Sequence, residues 1–123
     1  MQEVTMAAKD ELGRLGEQLA VEYLESEGMR VLERNWRCPV GEIDIVARDG
    51  NTLVMVEVKT RSGVLFGTPF SAITADKLAR LRRLVAAWLT AHNGTHRDVR
   101  IDAVSVLVPR RGAIEIDHLR GIF

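Results

Sequence analysis

Asp44, Glu57 and Lys59 are the residues of this chain whose types and spacing can do chemistry. They sit in Gly41-Glu42-Ile43-Asp44 and, one tight turn later, in Val56-Glu57-Val58-Lys59, within what otherwise reads as a hydrophobic β-hairpin. Burying such groups unpaired costs several kcal/mol, so a hydrophobic strand seldom carries them without a reason. Two converging carboxylates suit a hard divalent cation. Mg²⁺ takes oxygen ligands at about 2.0–2.1 Å and keeps several waters, so two carboxylates and a carbonyl suffice. A neighbouring ammonium can lower the pKa of an attacking water or offset charge building on phosphate. Together these residues point to hydrolysis of phosphodiester bonds with Mg²⁺ or Mn²⁺ as cofactor.

The elements that must position them follow from pattern. Asp49-Gly50 is a strong tight-turn signal between strands Glu42 to Ala47 and Leu53 to Lys59. With these two residues at the turn centre, Val46 faces Leu53, Asp44 faces Met55 and Glu42 faces Glu57. One face then gathers Asp44, Glu57 and Lys59 above Val46, Leu53 and Met55, while Ile43, Ile45, Val54, Val56 and Val58 share the other. Asp44 and Glu57 become diagonal neighbours, roughly 7 Å apart at their β-carbons. Both faces are apolar toward the turn, as in strands covered on two sides. The bland alternative is an edge hairpin whose Asp44, Glu57 and Lys59 form weak surface ion pairs.

Around the hairpin, residues 1–9 have no clear periodicity and read as a flexible arm. Asp10 to Glu27 reads as a helix with Asp10 as N-cap and Gly28 as its stop. Leu12, Leu15, Gly16, Leu19, Ala20 and Tyr23 form its apolar stripe, with Glu17 at the edge. Gly13 and Gly16 cost up to ~1 kcal/mol each against alanine, which close approach of the helix to a sheet or ligand can offset. Arg30 to Arg34 is a short strand, followed by an irregular connection from Asn35 to Pro39. Arg61 to Ile73 is a loop of 13 residues carrying Phe66 and Phe70, long enough to have a function of its own. Thr74 caps a second helix to about Ala91, with Leu78, Leu81, Leu84, Val85, Trp88 and Leu89 as its stripe. Val99 to Val108 and Ala113 to His118 are the last strands.

Length and composition fit one domain over residues 1–123: 46% of residues are hydrophobic and 28% charged, which excludes a disordered chain. One cysteine, Cys38, excludes an internal disulfide framework and favours a cytoplasmic protein, as does the lack of a signal-peptide pattern. No apolar run reaches the roughly 18 residues of a membrane span. The net charge is zero, yet residues 1–60 carry 7 Lys/Arg against 12 Asp/Glu and residues 61–123 carry 10 against 5. That asymmetry fits a metal-binding side and a phosphate-attracting side, or two unrelated solvated faces.

Lys77, Arg80 and Arg83 recur along one side of the second helix, with Arg82 nearby, either to track phosphates or as a solvated face. Arg61 follows Lys59 closely enough to reach a phosphate beside the metal, or is an ordinary loop charge. Phe66 and Phe70 can stack on unpaired bases, though packing is the commoner fate of such aromatics. Asp102 alternates with Arg100 and Val104 and is expected to pair with an arginine in preference to a metal. His92, His96 and His118 read as surface histidines, and Trp36 and Trp88 as core residues.

The hairpin motif, with Gly13-x-x-Gly16-Glu17, Asn35-Trp36-Arg37, Phe66-Gly67-x-Pro69, Lys77 and Arg100-Ile101-Asp102, resembles the YraN family of small bacterial proteins. That family is distantly similar to archaeal Holliday-junction resolvases of the PD-(D/E)xK nuclease superfamily. The resemblance spans about Leu12 to Val108. It implies an α/β, restriction-endonuclease-like fold, a mixed central sheet flanked by helices in the order α-β-β-β-α-β-β. It also implies metal-dependent cleavage of nucleic acid, with branched or single-stranded DNA expected. On it, Asp44 and Glu57 map to the two acids, Lys59 to the lysine, and Glu17 to a helix-borne outer or third metal carboxylate. Ile43 departs from the motif's proline. A homodimer is expected by the same likeness. The alternatives are a nucleic-acid-binding accessory protein that keeps the fold with little catalysis, and a protein-interaction module.

Overall fold

The structure, a computed structural model, describes residues 6–63, 70, 73–94 and 98–123. Its elements are α1 (Met6–Ser26), β1 (Arg30–Cys38), β2 (Gly41–Asp49), β3 (Thr52–Arg61), α2 (Ala75–Ala91), β4 (Asp98–Leu107) and β5 (Glu115–Leu119). The order is the α-β-β-β-α-β-β expected from the sequence. The five strands form one sheet in the order β1-β2-β3-β4-β5. β3 and β4 are parallel and joined through α2, while the other neighbours are antiparallel. No helix of the described residues is long and apolar enough to cross a membrane.

The two helices cover opposite faces. α1 packs Ala20, Val21 and Leu24 on Ile45, Ala47, Val54, Val56, Val104 and Val106. α2 packs Leu81, Leu84 and Trp88 on Ile43, Val46, Leu53, Met55 and Ile101. β2, β3 and β4 are thereby buried on both sides, which is why they read as near-continuous apolar runs. α2 starts where its sequence says: Thr74 Oγ1 accepts the Lys77 N–H at 3.2 Å.

Gly16 lets α1 lie close on β3. A Cβ there would collide with the Thr60 side chain, so only glycine fits.

Four local readings change. α1 begins by Met6, so residues 6–9 are helical and Asp10 is no cap; residues 1–5 lie outside those described. Ala8 and Lys9 are strong helix formers, and that preference outweighs the capping signal of Asp10. β1 continues to Cys38 through Asn35, which takes a left-handed φ of 52° instead of ending the strand. The β2–β3 turn is centred on Gly50-Asn51, with Asp49 facing Thr52 and Val46 facing Met55. Gly50, with φ 61°, leads this turn where Asp49 was expected to. The slip is two residues, so side-chain parity survives.

His118 is the fourth correction, because its side chain is only 3% exposed. Its Nε2 donates to Asp102 Oδ2 at 2.8 Å, and Tyr23 of α1 lies 3.2 Å from its Nδ1. Asp102, fully buried, also accepts from Arg100 Nε at 2.8 Å and from the Gly121 N–H at 2.9 Å. Burial alone would push the Asp102 carboxyl up, but the bonds from Arg100, Gly121 and His118 prevail and hold it below its ordinary range. The expected arginine partner is therefore present, and the cluster ties β5 and the chain end to β4 and α1.

Two outcomes follow. Gly16→Ala is expected to lose about 1–3 kcal/mol in urea denaturation through the clash with Thr60. Asp102→Ala is expected to lose about 3–5 kcal/mol by stranding Arg100 and His118.

Candidate active site

β2 and β3 pair only from the turn as far as Ile45 and Val56. Beyond that point β3 stays on β4 to Arg61, while β2 leaves it. The change of side is visible in the core: Ile45 packs toward α1, whereas Ile43 packs toward α2 with Val46. The expected grouping of Ile43 with Ile45 is thus corrected. It fails because the strand turns over at Asp44, across from the left-handed Asn35.

Asp44 fills the resulting fork. Its Oδ2 accepts the Val58 N–H at 2.8 Å, replacing the strand partner that β2 no longer supplies. Continuing the register puts Asp44 level with Glu57, directly across and not on the diagonal. The two carboxyl groups are close enough for each to act on the other's charge.

Their electrostatics record the strain of that arrangement. Burial, and next the charge of Glu57, push Asp44 up to about 7, against the lowering effect of the Val58 N–H. Burial also raises Glu57, opposed by the cations Arg80, Lys77 and Lys59.

Two concavities meet here. A cleft of about 1020 Å³ runs on the α1 side past Gly13, Glu17, Asn35, Asp44 and Arg61. A small recess on the α2 side is bordered by Glu57, Phe70, Lys77 and Arg80. Lys59 is exposed and borders both. The structure therefore sets Asp44, Glu57 and Lys59 at the end of the sheet, but not on the one face expected: Asp44 borders the α1-side cleft, Glu57 the α2-side recess beside Lys77 and Arg80, and Lys59 both. Arg83 is exposed and borders neither hollow. Phe66 lies outside the described residues, and Phe70 is half-buried.

Glu17 borders the cleft with Asp44 but is turned to other partners. Its Oε1 accepts from Asn35 Nδ2 at 2.8 Å and from Arg34 Nε at 3.2 Å. Among the described residues no three metal-type side chains converge on one point. The donor set is thus a pair of carboxylates. A pair fits Mg²⁺ or Mn²⁺, since such an ion keeps several waters and binds through one or two carboxylates. A half-buried like-charge pair that a cation would relieve is the observation in favour.

Sequence reasoning missed two neighbours. Arg14 and Arg37 line the cleft, signalled only by their nearness to Gly13 and Asn35. His92 is exposed as expected, and it stacks on Trp88 at 4.0 Å and reaches Glu33 Oε1 at 3.2 Å. His96 lies outside the described residues. Trp88 is core as expected, and Trp36 packs against the same cluster.

The model of the uncharacterised protein family UPF0102 matches residues 16–106. A UPF0102 protein of Beutenbergia cavernae is 60% identical, over 95% of this chain and 99% of the relative. One of Arthrobacter sp. is 54% identical, over 95% and 99%. One of Nocardioides sp. is 53% identical, over 94% of each. Among solved structures, that of Hjc, a Holliday junction resolvase from Archaeoglobus fulgidus, aligns with a TM-score of 0.39 at 22% identity, over 85% of this chain and 74% of that one.

The Asp44 value carries a pH signature. A carboxyl raised from 3.8 to about 7 binds its proton more tightly when folded, so stability falls as pH rises between those values. Asp44→Asn keeps an acceptor for Val58 and removes the charge. It is expected to raise stability at pH 8 by roughly 1–3 kcal/mol and to flatten the slope between pH 4 and 7, read by denaturant melts.

Proposed function

This chain belongs to the uncharacterised protein family UPF0102, and we propose that it is a metal-dependent endonuclease acting on nucleic-acid phosphodiester bonds. The observation that carries this reading is the half-buried Asp44–Glu57 pair, held together against its own repulsion with Lys59 at its side. A structural role would be served better by one carboxylate or none.

Asp44 and Glu57 would hold Mg²⁺ or Mn²⁺, which when bound supplies Lewis acidity and an oriented water. Lys59 faces the meeting point of cleft and recess, placed to take up negative charge on a phosphate oxygen and to steer the water's proton. Lys77 and Arg80 offset the carboxylates from the α2 side and attract the phosphate that must approach them. Arg61 reaches a phosphate from the end of β3. Glu17 acts as an outer carboxylate: it holds Asn35, and with it the kink that parts β2 from β3. Arg83, set away from both hollows, contributes to nucleic-acid attraction only at longer range. The substrate we favour is branched or single-stranded DNA, and a twofold dimer would suit one with two symmetric cleavage positions.

An accessory protein that binds nucleic acid without cutting it is the second reading, favoured by the lack of a third converging ligand among the described residues. Nicking of branched, flapped and single-stranded DNA in Mg²⁺ or Mn²⁺ separates the two. Expected is cleavage that drops at least about 10²-fold in Asp44→Ala, Glu57→Ala and Lys59→Ala while the fold is kept. Salt-sensitive binding that survives all three substitutions, with no cleavage in any metal, assigns the accessory role.

A further inference from the structure

We infer that the cleft beside Asp44 seats the sugar–phosphate backbone of one nucleic-acid strand directly against α1, and that Gly13 is the clearance that lets it approach. The inference rests on the nucleic-acid reading above and adds the strand's path to it.

Gly13 has no reason inside the protein to be glycine. A Cβ at this position meets nothing within 4 Å, and its backbone is ordinary helix. Gly16, one turn on, is explained by Thr60; Gly13 is not. Glycine is the least favourable residue for a helix interior after proline, so an unexplained one in mid-helix marks a place where something else comes close. Gly13 lines the cleft that Asp44 and Lys59 also line. Lys9 and Glu17, one turn to either side on the same helix face, line it too, so Gly13 is a bare step between two long side chains.

Arg61 gives an independent indication of what comes close. It lines the same cleft, and its Nε is buried with no hydrogen-bond partner among the described residues. A buried guanidinium donor without an acceptor is costly, and an anionic oxygen in the cleft would satisfy it. Arg14 and Arg37, both exposed, stand on the same walls. Three arginines around a bare helix step suit a chain of phosphates, whose backbone must pass within van der Waals distance of the helix to reach Asp44 and Lys59.

Gly13→Ala and Gly13→Leu test this, with the full chain, a labelled single-stranded oligonucleotide and its duplex at low salt. Both variants are expected to melt at higher temperature than wild type, because each is a better helix former. Both should nevertheless bind more weakly, Ala by a few-fold and Leu by roughly tenfold or more. Unchanged binding in the Leu variant, while wild type binds, overturns the clearance and leaves the nuclease reading standing. Equal losses in Ala and Leu would assign the effect to helix flexibility and overturn it as well. Absence of wild-type binding to either probe overturns the nucleic-acid reading and this inference together.

Discussion

Two carboxylates that repel each other lie side by side where β2 parts from β3, and much of the molecule can be read as the means of keeping them there. Like charges held close at an effective dielectric near 20 cost on the order of a few kcal/mol, a large share of a small domain's stability. Three features meet that cost. The Val58 N–H binds Asp44 where the ladder stops. The cations of α2 and Lys59 offset Glu57. Protonation of Asp44 removes one of the two charges, which is what an Asp44 value of about 7 expresses. Each is a partial remedy, and a divalent cation would replace the last.

Asp102 shows what the same residue type looks like when the fold satisfies it. It lies on β4, one strand beyond β3, and is fully buried. Arginine, histidine and a backbone N–H hold its charged form, so its carboxyl is lowered where that of Asp44 is raised. Acid weakens the Asp102 cluster: the stability it provides is present above 3.8 and lost as pH falls through its lower folded value. The Asp44 pair has the opposite slope. One network fastens the chain end to the sheet, and the other leaves an unmet demand at the mouth of a cleft. Such unmet demand is what distinguishes a site from a structural ion pair.

The parts of this arrangement that were legible are those carried by periodicity. Alternation along Ile43–Ala47 and Leu53–Lys59 revealed two buried strands with Asp44, Glu57 and Lys59 at the end away from the turn; the turnover at Asp44, which sets it on the α1-side cleft, was not legible. The slip of two residues in the turn did no harm because parity has a period of two. Thr74 and the stripe from Leu78 to Leu89 located α2 closely. What stayed hidden depends on single backbone choices or on distant partners. The left-handed Asn35 kept β1 going and turned Ile43 to the other face, and nothing in its neighbours announces this. His118 read as exposed because its strand is short; its burial comes from Tyr23, 95 residues away. Glu17 lines the cleft with Asp44, but its bonds to Arg34 and Asn35 were hidden because the path of β1 beyond Arg34 was misjudged. Family membership was legible from motifs spread over the chain, and the match over residues 16–106 agrees with it.

The most direct test is anomalous diffraction from crystals of this protein soaked in manganese above pH 7, where Asp44 is mostly ionised. The expected result is one strong peak bridging the carboxylates of Asp44 and Glu57, with waters completing its shell and no peak in Asp44→Asn crystals. Density that shows the two side chains turned apart, with the ion elsewhere or nowhere, would contradict it.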